Sequence, residues 1–150
     1  MANNSAWLAV FFIILEIQIP YMSNNTCFAP MLMIGSGVMD TSFYQKAFGA
    51  VELMRWNNDD GSIHVAEMSI QDAVFHLHEE MPNKAELSPS SSNVITCVIG
   101  LFAPDVDVIM NNAAAAGALI LSPAQDYDYG YRQGKLKDLY GHHWIIQKKI

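Results

Sequence analysis

The pattern of hydrophobic and polar positions divides most of the chain into two halves that match at a constant offset. The segments Val38–Phe48 and Val106–Ala116 align with each other, and each precedes a glycine, at Gly49 and Gly117. A glycine in the left-handed conformation commonly follows the last helical residue. The pattern therefore predicts a helix of about eleven residues in each half.

Apolar runs flank both predicted helices and predict strands. In the first half these runs are Met31–Ile34, Val51–Trp56, Ile63–Ile70 and Ala73–His78, with a turn at Gln71-Asp72. In the second half they are Val94–Ala103, Leu119–Leu121, Gly134–Asp138 and His142–Gln147, with a turn at Leu139-Tyr140-Gly141. We expect an α+β fold of two βαβββ modules, residues 26–87 and 94–150. The modules form a curved mixed sheet with a central cleft, and polar Ser88–Asn93 links them.

The first 25 residues fit neither module. Ala6–Leu15 is continuously apolar, but it is shorter than the stretch of about 20 residues that spans a bilayer. It also lacks the basic start and the small-residue cleavage site of a secretory signal. Three interpretations stay open for this segment: an extension outside the domain, an atypical export or anchor segment, or an added strand or helix packed on the domain. The first predicts a cytoplasmic protein, and the second an exported or anchored one.

Composition narrows the classes of partner. The net charge of −7 argues against a nucleic-acid partner, which requires a basic surface. A membrane partner is not indicated either, because no apolar run is long enough to span. Cys27 and Cys97 both occur in apolar runs, and free cysteines are among the most buried residues. We expect two buried free thiols in a reducing compartment.

Several motifs together resemble a known family. They are Ser42–Glu52 (SFYQKAFGAVE), Asp105-Val106-Asp107, Ala115-Ala116-Gly117-Ala118 and Asp126–Trp144 (DYDYGYRQGKLKDLYGHHW). They are similar to the PhnB-like branch of the vicinal oxygen chelate superfamily, which includes glyoxalase I, extradiol dioxygenases, fosfomycin-resistance enzymes and bleomycin-binding proteins. The resemblance covers roughly residues 30–147 and implies the two-module fold. It implies function less closely, because one fold hosts many chemistries.

The resemblance also implies where a metal would bind. The four ligand positions of the superfamily fall on Ala29, His76, Val98 and Ile145 in this chain. Alanine, valine and isoleucine supply no donor atom, and a catalytic zinc site needs three protein ligands. We therefore predict no metal and no other cofactor.

The residues point to a pocket for a small molecule. His76 and His78 share one face of a strand, because side chains alternate along it. Glu67 is costly in an apolar strand, so it either pairs with Arg55 or Arg132 or serves the pocket. Tyrosines near Arg132 suit ligand or dimer contacts, and its guanidinium suits a carboxylate or phosphate. The predicted ligand-binding residues are Met31, Met33, Glu67, His76, His78, Tyr129 and Arg132.

Two functions remain open. The first is a metal-independent protein that binds a small molecule in its cleft. The alternative is a metal-dependent lyase or dioxygenase of the glyoxalase or extradiol type, and whether the chain is an enzyme stays open. In either case we expect a homodimer, because a chain with 51% hydrophobic residues has apolar surface to cover.

Overall fold

The computed structural model describes residues 26–150, and the N-terminal segment discussed above lies outside the described residues. The elements of the first half are β1 (Met31–Ile34), α1 (Ser42–Phe48), β2 (Val51–Asn57), β3 (Ile63–Ile70) and β4 (Ala73–Glu79). A 3₁₀ turn (Pro82–Lys84) and α2 (Pro89–Ser92) lead to β5 (Val98–Phe102), α3 (Val106–Ala115), β6 (Leu119–Tyr127), β7 (Tyr131–Lys137) and β8 (His143–Lys149).

The two modules have the same topology. The first sheet has the strand order β1-β4-β3-β2, and the second has the order β5-β8-β7-β6. In each sheet the first strand of the module pairs in parallel with the last, and the other pairs are antiparallel. The prediction of two βαβββ modules with mixed strands is confirmed. The strands form two separate four-stranded sheets, one for each module.

Both long helices end where the glycines predict. Gly49 follows α1 with φ of 67°, and Gly117 follows the last turn of α3 with φ of 102°. These values lie in the left-handed region that glycine adopts without strain. The start of the first helix was predicted wrongly, at Val38 rather than Ser42. The Val38 carbonyl accepts a hydrogen bond from the Ile63 amide at 2.7 Å, which keeps this segment extended.

The link between the modules is a capped helical turn. The Ser88 hydroxyl oxygen accepts a hydrogen bond from the Ser91 amide and caps α2, and Asn93 ends α2 with φ of 55°. The Ser90 hydroxyl donates to the Tyr140 carbonyl oxygen at 2.7 Å. The polar residues of this link therefore fix it to the second module.

Both modules contribute to one core. The inner face of each sheet and the two long helices pack into a single cluster of buried hydrophobic residues. Aromatic rings lie where the modules meet: Phe48 and Trp144 have ring centroids 4.7 Å apart, and Tyr44 stacks on Tyr140 at 5.5 Å. Because both sheets turn one side towards this shared core, each has a second side that faces away from it.

A buried carboxylate ties the modules together. Asp138 is 4% exposed and follows β7. One of its oxygens accepts hydrogen bonds from the Tyr44 hydroxyl and the Trp144 indole, both at 2.9 Å. The other accepts from the amides of Tyr140 and His142, again at 2.9 Å. The carboxylate therefore accepts four hydrogen bonds, and a buried charge is tolerated only when it is paired or hydrogen-bonded.

The two cysteines differ from the expectation for free thiols. Cys27 and Cys97 are both exposed, so the prediction of buried thiols is wrong. The apolar run that begins at Val94 forms a strand only from Val98 onward, which leaves Cys97 outside the sheet.

Between residues 26 and 150 no helix has the length and apolar character needed to cross a membrane.

Candidate functional site

The side of the first sheet that faces away from the core is called the first open face. Leu32, Phe75 and Leu77 point into the core, so the residues that alternate with them point outward. The strand register places these outward residues side by side. They are Met31 and Met33 on β1, His76 and His78 on β4, Val65 and Glu67 on β3, and Met54 and Trp56 on β2.

A contact between a carboxylate and an imidazole lies in the middle of the first open face. Glu67 and His76 are cross-strand partners, and the Glu67 carboxylate contacts Nε2 of His76 at 3.1 Å. The two side chains are 10% and 15% exposed, so most of the pair is removed from water. Of the two alternatives for Glu67, the pairing with Arg55 or Arg132 does not occur. Arg55 pairs with Glu52 instead, and Arg132 pairs elsewhere.

A second histidine group occupies the edge of this face. Nδ1 of His78 is 2.6 Å from the Glu79 carbonyl oxygen, and the His78 ring meets the His64 ring at 5.0 Å. The Glu79 carboxylate accepts from Asn58 and lies 3.5 Å from His64. These contacts lower the pKa of Glu79, with the Asn58 hydrogen bond as the largest cause. The edge is therefore a self-contained polar network.

The predicted methionines also border a cavity. Met31 and Met33 line a space of about 400 Å³ between the modules, beside the unpaired edge of β1. Its other walls include Leu87, Ile95, Cys97, Ile99 and His142. His142 is buried, and burial lowers the pKa of its imidazole. Its Nε2 hydrogen bonds to the Met33 carbonyl oxygen at 2.9 Å. This cavity could not be predicted from the sequence, because its walls come from segments far apart in the chain.

Two of the predicted site residues lie in the other module. Arg132 binds Asp107 through two nitrogens at 2.7 Å and Asp126 at 2.8 Å. Asp107 belongs to α3, so Arg132 points to the helix side of its sheet and does not join His76. Tyr129 lies at the hairpin tip after β6, and its hydroxyl donates to Oε1 of Gln133 at 2.6 Å. The structure thus brings five of the seven residues together, and Tyr129 and Arg132 are not among them.

The second sheet has an open face of its own. Arg132, Gly134 and Leu136 point towards the core or α3, so Gln133, Lys135 and Lys137 point outward. The register adds further residues to this second open face: Val98, Gly100, Phe102, Leu119, Ser122, Gln125, His143, Ile145 and Gln147. Burial lowers the pKa of His143, and the charges of Lys135 and Lys137 add to this effect. Sequence reasoning missed this basic group. Lys135 and Lys137 share a face because side chains alternate along β7, but His143 joins them only through the pairing of β7 with β8.

The metal positions implied by the resemblance do not fit a divalent ion. His76 lies on the first open face, Val98 and Ile145 lie on the second, and Ala29 precedes β1. Three of these four side chains have no donor atom, whereas a divalent ion requires oxygen, nitrogen or sulfur ligands. Throughout residues 26–150, no group of three or more His, Cys, Asp or Glu side chains is arranged to hold a metal ion.

Comparisons with known proteins agree with this fold. No family model matches the chain. The uncharacterized protein Mb0911c of Mycobacterium bovis is 30% identical over 125 residues, which cover 81% of this chain and 82% of the relative. A glyoxalase-related enzyme from Fulvimarina pelagi superposes with a TM-score of 0.60 at 20% identity, over 82% of this chain and 88% of its own.

A third comparison carries the family name. A glyoxalase/bleomycin resistance protein/dioxygenase family enzyme from Burkholderia phytofirmans superposes with a TM-score of 0.58 at 16% identity, over 80% of this chain and 97% of its own. At such identities a superposition shows the fold alone. The fold of this chain is therefore that of the glyoxalase/bleomycin resistance/dioxygenase proteins. By sequence, the chain belongs with the uncharacterized mycobacterial protein Mb0911c.

Proposed function

We propose that this chain is a PhnB-like binding protein, which holds a small organic molecule on the first open face without a metal ion. The observation that carries the proposal is the Glu67–His76 pair, nearly buried in a surface whose other side chains are methionine, valine, tryptophan and His78. Ligand sites are mostly apolar surfaces with a few placed polar groups that fix orientation. We further propose a cytoplasmic location for the protein.

The chemistry of the pair suits recognition. A carboxylate that contacts one ring nitrogen fixes the orientation of the imidazole. Met31 and Met33 lie next to the two histidines across the β1–β4 register, and methionine side chains adapt to ligands of different shape. The first open face therefore combines a fixed polar pair with an adaptable apolar surround. This combination requires no charged ion to hold a ligand.

A thermal-shift screen of small organic molecules tests the proposal. A ligand that binds the folded state alone raises the melting temperature, by an amount that grows with the logarithm of its concentration relative to its Kd. We expect at least one ligand whose stabilising effect is lost in His76→Ala and kept in His143→Ala, which removes a histidine from the other sheet. Ligands that stabilise both variants equally would place the site elsewhere and contradict the proposal.

The second candidate is a metal-dependent lyase or dioxygenase of the glyoxalase or extradiol type. One contact favours it: metal-binding histidines commonly have a carboxylate on their other ring nitrogen, as His76 has in Glu67. Metal analysis of protein purified without chelator or affinity tag separates the two candidates. Stoichiometric zinc, nickel, iron or manganese that disappears in His76→Ala would favour the enzyme over the binding protein.

We also propose that the protein is a homodimer. Both open faces expose large apolar side chains: Val51, Met54 and Trp56 on the first sheet, and Val98, Phe102 and Leu119 on the second. Contiguous exposed apolar surface commonly marks a site where another protein binds, and most oligomers pair identical subunits. Light scattering at micromolar concentration should give twice the monomer mass, and Trp56→Lys should shift the protein towards the monomer. A monomer in the unmutated protein would contradict this.

A further inference from the structure

A small cavity opens on the second face, on a different sheet from the proposed ligand site. It has a volume of about 120 Å³ and is lined by Ser122, Tyr127, Gln133, Gly134, Lys135 and Ile145. Lys135 is the cross-strand partner of both Ser122 and Ile145, so the cavity lies over three neighbouring strands, β6, β7 and β8. Its polar groups come from four different side chains.

The amide acceptors around this cavity are already occupied. Oε1 of Gln133 accepts a hydrogen bond from the Tyr129 hydroxyl at 2.6 Å. Nε2 of Gln133 donates to Oε1 of Gln147 at 2.7 Å, which occupies the second amide oxygen. The chain of bonds from Tyr129 to Gln147 runs in one direction. These bonds use one lone pair of each amide oxygen and one of the two N–H groups of Gln133, so its second N–H is left to donate to a ligand.

The hydroxyl of Tyr127 is held as a donor. Its oxygen accepts a hydrogen bond from Nε2 of Gln125 at 2.8 Å. A phenol carries one hydrogen, and with its oxygen engaged by the amide this hydrogen is available to an acceptor. Gln125 therefore orients Tyr127 to donate.

The two remaining polar groups have no partner among the described residues. Within residues 26–150, Lys135 makes no ion pair, and the Ser122 hydroxyl makes no hydrogen bond. Lys135 carries three N–H donors and no acceptor. Lys137 points to the same side of the sheet, so a second positive charge lies two residues along the strand.

We propose that this cavity is a binding subsite for a small oxyanion, a carboxylate or phosphate group, held by Lys135, Tyr127 and Ser122. An ammonium, two hydroxyls and spare amide hydrogens match the acceptor oxygens of such a group. The volume suits a single group of this size, since one water molecule takes up about 30 Å³. The net charge of −7 repels anions in general, so any binding must come from these local donors.

NMR titration of the full-length protein tests the subsite, with inorganic phosphate and benzoate as separate probes. We expect each probe to shift the amide signals of Ser122, Gln133 and Lys135 at millimolar concentration. Lys135→Gln should weaken binding by about tenfold or more, because it removes the charge-assisted bond. Tyr127→Phe, which keeps the ring, should weaken it by a few-fold. Lys84→Gln removes the same charge from an exposed turn of the other module and should change affinity less than about twofold.

The outcomes separate clearly. A response to both probes, or to only one of them, supports the subsite and names which oxyanion it accepts. The inference is overturned if neither probe shifts these signals, or if Lys135→Gln binds as tightly as the unmutated protein. This test does not depend on the first open face: ligands lost in His76→Ala bear on the proposed function, and phosphate lost in Lys135→Gln bears on the subsite.

Discussion

The two open faces have the same strand order but opposite chemistry at matching places. On the first, Glu67 lies opposite His76 across the β3–β4 register, and the Glu67 carboxylate contacts Nε2 of His76. On the second, Lys135 lies opposite Ile145 across the β7–β8 register and makes no ion pair within residues 26–150. The charged side chain of the first face has a polar partner on the next strand, whereas the charged side chain of the second face faces an apolar one.

This difference shows what the repeat preserves. The matching helices, glycines and strand order fix where side chains stand on each sheet. They do not fix which charges stand there, because outward positions are free of the packing that constrains the core. Carrying a ligand set between proteins that share this fold therefore transfers positions more safely than it transfers chemistry.

The largest effect is expected where the two modules are held together. This is the group of hydrogen bonds around Asp138, which we call the joint. Asp138→Ala removes the acceptor for four buried donors, including the Tyr44 hydroxyl and the Trp144 indole. We expect a loss of about 3 to 5 kcal/mol in the free energy of unfolding, measured by urea denaturation. Asp128→Ala, on an exposed turn, should change it by less than about 0.5 kcal/mol. Similar losses in both would mean that the joint lies elsewhere.

Two glycines separate backbone strain from steric contact. Gly49 and Gly141 both have positive φ, at 67° and 95°. A Cβ at Gly49 meets no atom within 4 Å, whereas one at Gly141 lies 2.7 Å from the Ser90 hydroxyl and 2.8 Å from the Ser90 amide. Gly49→Ala should cost about 1 to 2 kcal/mol for the left-handed backbone. Gly141→Ala should cost a further 1 to 3 kcal/mol, roughly, for the clash with the inter-module link.

Equal melting temperatures for these two variants would contradict this account. Gly49→Ala serves as the control for Gly141→Ala, because both substitutions add the same methyl group at a left-handed position. The extra loss in Gly141→Ala measures how rigidly the link that contains Ser90 is held against the second module.

The open faces should also differ in stability. Glu67→Ala removes the carboxylate that contacts Nε2 of His76 in a nearly buried pair, and we expect a loss of about 1 to 2 kcal/mol. Lys135→Ala removes a cation with no ion pair among the described residues, so the change should stay below about 0.5 kcal/mol. Both free energies come from denaturant titration. Equal losses would mean that Lys135 has a structural role. They would contradict the proposed difference between the two open faces.

Much of the fold was predictable because it depends on local signals. The left-handed glycines at Gly49 and Gly117 and the turn at Gln71-Asp72 act through their own backbone conformation, and all three lie where expected. The start of α1 was missed because it is set by a hydrogen bond between Val38 and Ile63, which are distant in sequence. The pattern of neighbouring residues gives no information on a hydrogen bond between residues so far apart in the sequence.

The sequence predicted only those parts of the candidate site that depend on the alternation of side chains along a strand. Met31, Met33, Glu67, His76 and His78 share a face because every second residue of a strand does. Arg132 was misjudged because one of its partners, Asp107, reaches it only through the position of α3 against the sheet, which is not a local signal. Lys135 was missed because its significance comes from its neighbours on two other strands.

The smallest expected effect is a dependence of stability on pH from the joint. Burial lowers the pKa of His142 below its usual value, although the charge of Asp138 opposes this shift. The folded protein therefore binds fewer protons at this site than the unfolded chain, in which histidine titrates near about pH 6.5. The stabilising contribution is complete above that pH and declines as the pH falls towards the lowered pKa of the folded state. His143 shifts in the same direction for the same leading cause.

Denaturant titration across about pH 5 to 8 should show this decline in the unmutated protein. His142→Gln cannot take up the proton, so its free energy of unfolding should fall less over the same range. Comparing the two proteins at the alkaline end removes the constant cost of losing the hydrogen bond to Met33, and the remaining difference in slope isolates the titration of His142. A variant with the same slope as the unmutated protein would show that the joint between the modules does not respond to pH through this residue.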